Sequence, residues 1–197
     1  LVADSIRAAH PRLAIELQVI TTAGDRDQVS VLSSGEGAGW FTSALQDALL
    51  RGEADIAVHS YKDLPTSRPE GLSIAAVPMR EDPHDALIAA RRTTLRQLPE
   101  RAIVGTSSAR RTAQLRAIRP DLGLRPIRGN VDTRLAKLDA GEYDAIVLAL
   151  AGLKRLGLER RVSQVLGFEE MLPAPAQGAL AIECRTADEP TRALLGP

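Results

Sequence analysis

The sequence predicts an α/β protein of two lobes with mixed, largely parallel sheets. Segments rich in Ile, Leu and Val alternate with segments of helical apolar periodicity along all 197 residues, and such alternation is typical of α/β layers. Two segments, 79–83 and 172–178, interrupt this alternation. The second contains Pro173, Pro175 and Gly178, which favour a stiff, extended connector. The chain is long enough for one large or two small domains.

The first predicted elements are a helix that includes residues 1–7 and a strand at 13–21. A helix follows at 40–51, because its apolar residues recur on one face and Gly52 comes directly after it. The remaining strands are predicted at 56–58, 72–77, 85–90, 102–105, 122–127, 145–150 and 179–184.

The two interruptions predict that the chain leaves the first domain, builds the second and returns. The first domain would then be discontinuous, with residues 1–80 plus 178–197, and the second would cover 84–173. Segments 79–83 and 172–178 are the predicted hinges, and the strand at 179–184 would complete domain one. A cleft between two lobes on two hinges is a natural ligand site.

Composition excludes several classes of function. The 25 basic and 25 acidic residues balance, whereas a general nucleic-acid binder needs a basic excess. Cys184 is the only cysteine, so neither an intrachain disulfide nor a zinc site of paired cysteines can form. The apolar run at 145–153 is too short to span a bilayer. The three histidines lack metal-ligand spacing, so no metal is expected. The single cysteine fits a reducing compartment.

The first polar cluster covers residues 59–65 and follows a predicted buried strand. Its Lys62 and Asp63 place a cation beside a carboxylate at the carboxyl end of a strand, where ligands of α/β proteins bind. The alternative is a surface turn with a solvated Lys–Asp pair. His59 continues the strand and is interpreted as a structural residue rather than a base.

The second cluster follows the strand at 102–105 and opens a helix. It combines small hydroxyl residues with two arginines: Thr106, Ser107, Ser108, Arg110 and Arg111. Backbone N–H groups at a helix start, with arginines nearby, can bind an anion. An ordinary Ser/Thr N-cap with exposed arginines is the alternative.

A third cluster, at 128–134, also follows a strand and opens a helix. Gly129 would allow close backbone approach to a ligand, and Arg128 and Arg134 flank it. Arg155 lies just after the strand at 145–150. Several arginine-bearing loops at strand ends favour a polyanionic ligand. The phosphate-loop spacing Gly-x-x-x-x-Gly-Lys-Ser/Thr is absent, so a nucleotide is not the favoured anion.

In this order, the clusters resemble the porphobilinogen deaminase family. The matching segments are 54–65, 105–111, 128–131, 143–157 and 172–185. The resemblance implies a cytoplasmic, monomeric transferase of tetrapyrrole biosynthesis whose first two domains are periplasmic-binding-protein-like lobes. Such an enzyme joins four porphobilinogen units head to tail into hydroxymethylbilane and releases ammonia each time. It builds them on a dipyrromethane cofactor and has no nucleic-acid or membrane partner.

The resemblance also implies roles for residues of this sequence. Asp63 matches the catalytic aspartate. The positions that match cofactor-binding residues are Lys62, Thr106, Ser107, Ser108, Arg110, Arg111, Arg128, Gly129 and Arg134. The positions that match substrate-binding residues are Arg128, Arg134, Arg155 and Gln177.

The family's cofactor is anchored on a cysteine of a third α+β domain. We expect that this chain lacks that domain and the first strand of domain one, that Cys184 carries no cofactor, and that the chain alone is inactive. The family's commoner loop Gly-Lys-Gly-Leu-Phe-x-Lys differs here, with Ala38 and Ser43 in place of its lysines. The alternative function is a non-catalytic two-lobe anion-binding module.

Overall fold

The computed structural model describes residues 1–20 and 42–196. These residues form two compact units. Unit 1 contains residues 1–20, 42–79 and 179–196, and unit 2 contains residues 80–178. Within the described residues, the chain enters unit 2 at residue 80 and returns to unit 1 at residue 179.

Both units contain helices and strands. The helices are α1 (Val2–Ala9), α2 (Ser43–Leu50), α3 (Ala109–Ile118), α4 (Val131–Asp139), α5 (Leu150–Arg155) and α6 (Glu189–Leu194). The strands are β1 (Ile56–Ser60), β2 (Leu72–Ala76), β3 (Asp85–Ala89), β4 (Ile103–Gly105), β5 (Gly123–Arg125), β6 (Ala145–Ala149), β7 (Gln164–Leu166) and β8 (Leu180–Arg185). Short 3₁₀ turns occupy Tyr61–Asp63, Leu95–Gln97 and Glu159–Arg161.

Unit 1 is built on a sheet with the strand order β1-β8-β2. The returning strand β8 lies in the middle and is antiparallel to both neighbours. Helix α2 buries Leu49 against Ala57 of β1 and Leu72 of β2, with Leu45 at the margin of this cluster. The contacts of α2 thus fix the strand that leads into the Lys62–Asp63 turn.

Unit 2 is built on a sheet with the order β5-β4-β6-β3-β7. Neighbouring residues of β6 enter two different apolar clusters, Val147 with Leu115 of α3, and Ile146 with Leu135 of α4. The sheet is therefore covered on both faces. That explains the continuous apolar sequence of β3 and β6, since a strand buried on both faces needs no polar alternation.

The mixed α/β fold is confirmed, but the predominance of parallel pairing is not observed among the described residues. Two strand pairings are parallel and four are antiparallel. The difference has a topological origin. The first strand after each passage between the units, β3 and then β8, pairs antiparallel with both of its neighbours.

The strand predicted at 13–21 is wrong over its described part, because residues 13–20 form no strand. A strand needs a partner for its N–H and C=O groups, and none of the described strands pairs with this segment. Val19 is 93% exposed, so the apolar side chains gain little burial there. Thr21, the helix start at 40–41 and Ala38 lie outside the described residues, whereas Ser43 begins α2.

Within residues 1–20 and 42–196, no helix is both long and apolar enough to cross a membrane.

Candidate functional site

The Lys62–Asp63 pair lies at the carboxyl end of β1. Residues Tyr61–Asp63 form a 3₁₀ turn directly after the strand. The Tyr61 N–H donates to the Ala179 carbonyl oxygen over 3.1 Å, which ties the turn to the residue before β8. Asp63 is exposed and Lys62 is half-buried. The turn thus holds a carboxylate and a cation side by side, and both residues interact with other parts of the protein.

A buried polar cluster lies behind this turn. His59 of β1 is almost fully buried, with its Nε2 3.2 Å from Oε2 of Glu183 on β8, although the two groups are not aligned as a hydrogen bond. The Gln46 amide of α2 donates to both Glu183 carboxylate oxygens over 3.2 Å. The interior position of His59 agrees with its interpretation as a structural residue.

The other candidate residues gather at one edge of the unit 2 sheet. Strands β5, β4 and β6 are parallel, so their carboxyl ends share an edge. The loops after these strands lead into α3, α4 and α5. Asp85 begins β3 opposite Ala149, the last residue of β6, and therefore lies at the same edge.

The loop after β4 is held by its own hydroxyl groups. Ser108 caps α3, because its side chain accepts from the Arg111 backbone N–H over 3.4 Å. The Thr106 hydroxyl accepts from the Ser108 N–H over 3.2 Å. The Ser107 hydroxyl donates to the carbonyl oxygen of Ile127 and accepts from its N–H, over 2.8 and 3.0 Å. Ser108 occupies the N-cap position, as the alternative interpretation predicted, but the arginines of that interpretation are not exposed, because Arg111 is buried and Arg110 is half-buried. Ser107 joins two of the loops.

The loop after β5 depends on Gly129. Its φ of +105° lies in the left-handed region, and a Cβ there would lie 2.6 Å from Cγ2 of Thr133. The Arg134 Nε donates to the Gly129 carbonyl oxygen over 2.7 Å. Asn130 caps α4 by accepting from the Thr133 N–H over 2.9 Å. The loop and the first turn of α4 therefore place Arg128 and Arg134 close together in the fold.

Arg110 and Arg111 converge on the buried carboxylate of Asp85. Arg110 Nη2 lies 2.7 Å from Oδ2, and Arg111 Nη2 lies 2.6 Å from Oδ1. The Gln177 amide donates to Oδ1 over 2.9 Å. Burial opposes ionisation of Asp85, but attraction and hydrogen bonding from Arg111 and Arg110 outweigh it and lower the pKa of this carboxyl.

The cations of α5 face the residues around the two passages between units. Arg155 Nη2 donates to the Gly178 carbonyl oxygen over 2.6 Å, and its buried Nε has no hydrogen-bond partner among the described residues. Lys154 Nζ lies 2.9 Å from Glu81 Oε1 and 3.6 Å from Asp82 Oδ2. The hydrogen bond that Lys154 donates to Glu81 is the main cause of the raised pKa of Lys154.

This edge of unit 2 suits a ligand with several carboxylates. It combines two capped helix starts, which carry partial positive charge, with guanidinium groups that bind carboxylates in a fixed geometry. The structure therefore brings the candidate residues of the second and third clusters, Arg155 and Gln177 to one unit. Lys62 and Asp63 lie in the other unit.

Asp85 is a residue of this edge that the sequence analysis did not select. The sequence feature that could have identified it is an acidic residue at the start of the strand Asp85–Ala89. Every residue of this strand is buried. A buried carboxylate requires partners, so an acid in such a run indicates nearby arginines. Sequence spacing did not reveal that Arg110 and Arg111 are those partners.

Solved structures confirm the fold class. The chain is similar to an ABC transporter periplasmic substrate-binding protein from Coxiella burnetii, at 14% identity and a TM-score of 0.59, over 98% of this chain and 83% of that one. A putative methionine-binding lipoprotein from Bacillus subtilis is similar at 14% identity and a TM-score of 0.52, over 79% and 73% of the two chains. These likenesses show a fold of the periplasmic-binding-protein type.

The family comparison covers nearly the whole chain. Residues 1–193 match the family described as porphobilinogen deaminase, dipyromethane cofactor binding domain. The match includes every candidate residue named above, from Lys62 to Gln177. The chain therefore belongs to the porphobilinogen deaminase family, a transferase family of tetrapyrrole biosynthesis.

Proposed function

We propose that this chain binds the dipyrromethane cofactor and porphobilinogen in an enzyme that joins four porphobilinogen units into hydroxymethylbilane. The observation that carries the proposal is the family match over residues 1–193. The gathering of arginine-bearing loops at one edge of unit 2 supports it, because the growing pyrrole chain carries an acetate and a propionate on each ring.

The proposed binding residues fit the cofactor by their chemistry. Carboxylates need charge-assisted donors, and the proposed cofactor-binding residues supply guanidinium, ammonium, hydroxyl and backbone N–H groups. When bound, the dipyrromethane supplies the terminal pyrrole carbon to which the first substrate unit becomes attached. The residues that would hold cofactor or substrate are Lys62, Thr106, Ser107, Ser108, Arg110, Arg111, Arg128, Gly129, Arg134, Arg155 and Gln177.

Asp63 is proposed as the catalytic residue. When porphobilinogen loses ammonia, a positive charge develops on the remaining pyrrole and its methylene carbon. A fixed carboxylate can accept a hydrogen bond from the pyrrole N–H and stabilise that charge. The 3₁₀ turn and its backbone bond to Ala179 fix the main chain of Asp63, so little reorganisation would accompany the reaction.

Cys184 is proposed not to anchor the cofactor. Its side chain is buried in β8, and burial is the largest cause of the raised pKa of its thiol. A thiolate is the reactive form of cysteine, so this thiol is poorly suited to form a thioether. The proposal therefore keeps the anchor on a cysteine outside this chain.

We also propose that units 1 and 2 are the predicted domains 1–80 plus 178–197 and 84–173. Segments 79–83 and 172–178 would act as hinges between them. A cytoplasmic, monomeric enzyme without nucleic-acid or membrane partners remains part of the same proposal.

The test is turnover of porphobilinogen by the natural protein that contains this chain, compared with its Asp63→Asn variant. Loss of one preorganised electrostatic partner lowers kcat by on the order of 10²–10³. Asp121→Asn is the control, because Asp121 pairs with Arg119 at the far end of α3. Wild-type turnover by Asp63→Asn would refute the catalytic assignment. Ligand binding without any turnover by the natural protein would favour the anion-binding module.

A further inference from the structure

The buried carboxylate of Asp85 accepts hydrogen bonds from two of the candidate arginines. Its carboxylate accepts from Arg110 Nη2 over 2.7 Å and from Nε and Nη2 of Arg111 over 3.1 and 2.6 Å. The amide of Gln177 adds a further bond of 2.9 Å. One buried carboxylate thus connects three residues that the family resemblance placed in the binding site.

The two arginines around Asp85 differ in how they are used. The side chain of Arg111 is 8% exposed, and its Nη1 donates to the Val147 carbonyl oxygen over 2.9 Å. All three of its nitrogens are therefore bonded inside the protein. Arg110 is 24% exposed, and its Nη1 donates to the Leu172 carbonyl oxygen. Arg110 is consequently the member of the pair that can face a ligand.

The charges at this point also favour a supporting role for Asp85. Arg111 and Arg110 keep Asp85 ionised, because together they outweigh the effect of burial on its pKa. Without this carboxylate, two neighbouring guanidinium groups would repel each other and lose a shared acceptor. With it, the group of three carries a single net positive charge, still able to attract a carboxylate.

We propose that Asp85 is a positioning residue that holds the Arg110 guanidinium in place to bind a ligand carboxylate, with Arg111 as its internal counter-charge. The inference rests on the proposed function and deepens it by separating the roles of the two arginines. This revises the assignment of Arg111, which the family resemblance places among the cofactor-binding residues: Arg110 contacts the ligand, whereas Arg111 and Asp85 act through Arg110.

The test measures the affinity of the 197-residue chain for a free dipyrromethane carrying acetate and propionate side chains, by calorimetric titration. We expect Asp85→Asn to weaken binding on the order of tenfold, which lies within the range of couplings between contacting residues. In an Arg110→Leu background, the same substitution should change Kd less than about threefold. A merely structural role would not produce this dependence on Arg110.

Asp121→Asn serves as the matched control, since it removes a carboxylate from an arginine pair elsewhere in unit 2 and should leave Kd unchanged. Unchanged affinity in Asp85→Asn, or equal effects of Asp85→Asn with and without Arg110, would overturn the inference while leaving the proposed function intact. Absence of binding by the wild-type chain would contradict the proposed function and, with it, this inference.

A measurement on the wild-type chain covers the case in which Asp85→Asn fails to fold. The side-chain ¹⁵Nε–¹H resonances of Arg110 and Arg111 are followed by NMR as the same dipyrromethane is added. The Arg110 resonance should shift, whereas that of Arg111 should stay in place and exchange slowly with solvent. A shift of Arg111 without one of Arg110 would overturn the division of roles.

Discussion

Replacement of Gly129 by alanine tests whether the loop after β5 needs its backbone conformation. At φ +105°, a new Cβ would lie 2.6 Å from Cγ2 and 2.7 Å from Cβ of Thr133. The Thr133 Cβ is attached to the backbone of α4, so it cannot rotate away. Gly129→Ala therefore combines an unfavourable φ with a steric conflict that the helix must relieve by moving.

The magnitude of the effect can be divided into these two contributions. Forcing an L-residue into the left-handed region costs about 1–2 kcal/mol. Overpacking a fixed neighbour adds about 1–3 kcal/mol. Gly141→Ala is the matched control, because Gly141 also has a positive φ, +78°, but a Cβ there would meet nothing within 4 Å. Only the first contribution should appear in the control.

The assay is urea unfolding of both variants, followed by a probe in unit 2, which contains both glycines. The free energy of unfolding should fall by about 2–5 kcal/mol for Gly129→Ala, against about 1–2 kcal/mol for Gly141→Ala. Gly129→Ala should also weaken dipyrromethane binding, because Arg134 donates to the Gly129 carbonyl oxygen. Equal destabilisation by the two variants would refute the steric argument.

Three further predictions concern charge and reactivity. The folded-state pKa of Asp85 is lowered, so the carboxylate stabilises the fold above about pH 4 and this contribution is lost at lower pH. The free energy of unfolding of Asp85→Asn, measured with urea, should therefore fall less steeply than that of the wild type between about pH 5 and pH 2. Cys184 is buried, so a thiol reagent should react with it only when the protein unfolds, and fast labelling of the folded protein would contradict this. The intact mass after exposure to porphobilinogen should equal that of the bare polypeptide, and the added mass of a dipyrromethane would contradict this. Arg128→Leu should weaken dipyrromethane binding on the order of tenfold. Arg161→Leu loses an exposed ion pair with Asp139 and should bind the dipyrromethane with wild-type affinity. A similar loss of affinity in both variants would count against the proposed site.

Strands that are buried on both faces could be predicted from the sequence almost to the residue. The strands predicted at 85–90 and 145–150 are observed as β3 and β6, each one residue shorter, because their apolar runs are continuous. The short strand β7 was not predicted. It has three residues and begins with Gln164, so pairing with β3, rather than local composition, determines it.

The candidate site could be predicted where it depends on the chain order of strand, loop and helix. The capped starts of α3 and α4 follow this order, and Ser108 and Asn130 fill the cap positions. Asp85 could not be found in this way, because its partners Arg110 and Arg111 are 25 and 26 residues further along the chain. Their contact depends on the position of β3 beside β6, which is a property of the folded sheet.

The number of arginines alone overstates how many can bind a ligand. Arg119 has its guanidinium occupied by the carbonyl oxygens of the 95–99 turn and by Asp121, and Arg185 bonds in the same manner to two carbonyl oxygens and two aspartates. A ligand would have to break these bonds before it gained any. At Arg155, by contrast, a buried Nε has no hydrogen-bond partner among the described residues, and an unmet buried donor costs about 1–3 kcal/mol. A ligand carboxylate that reached this nitrogen would recover that energy without displacing an existing bond, so we expect Arg155 to be a better anion ligand than Arg119 or Arg185.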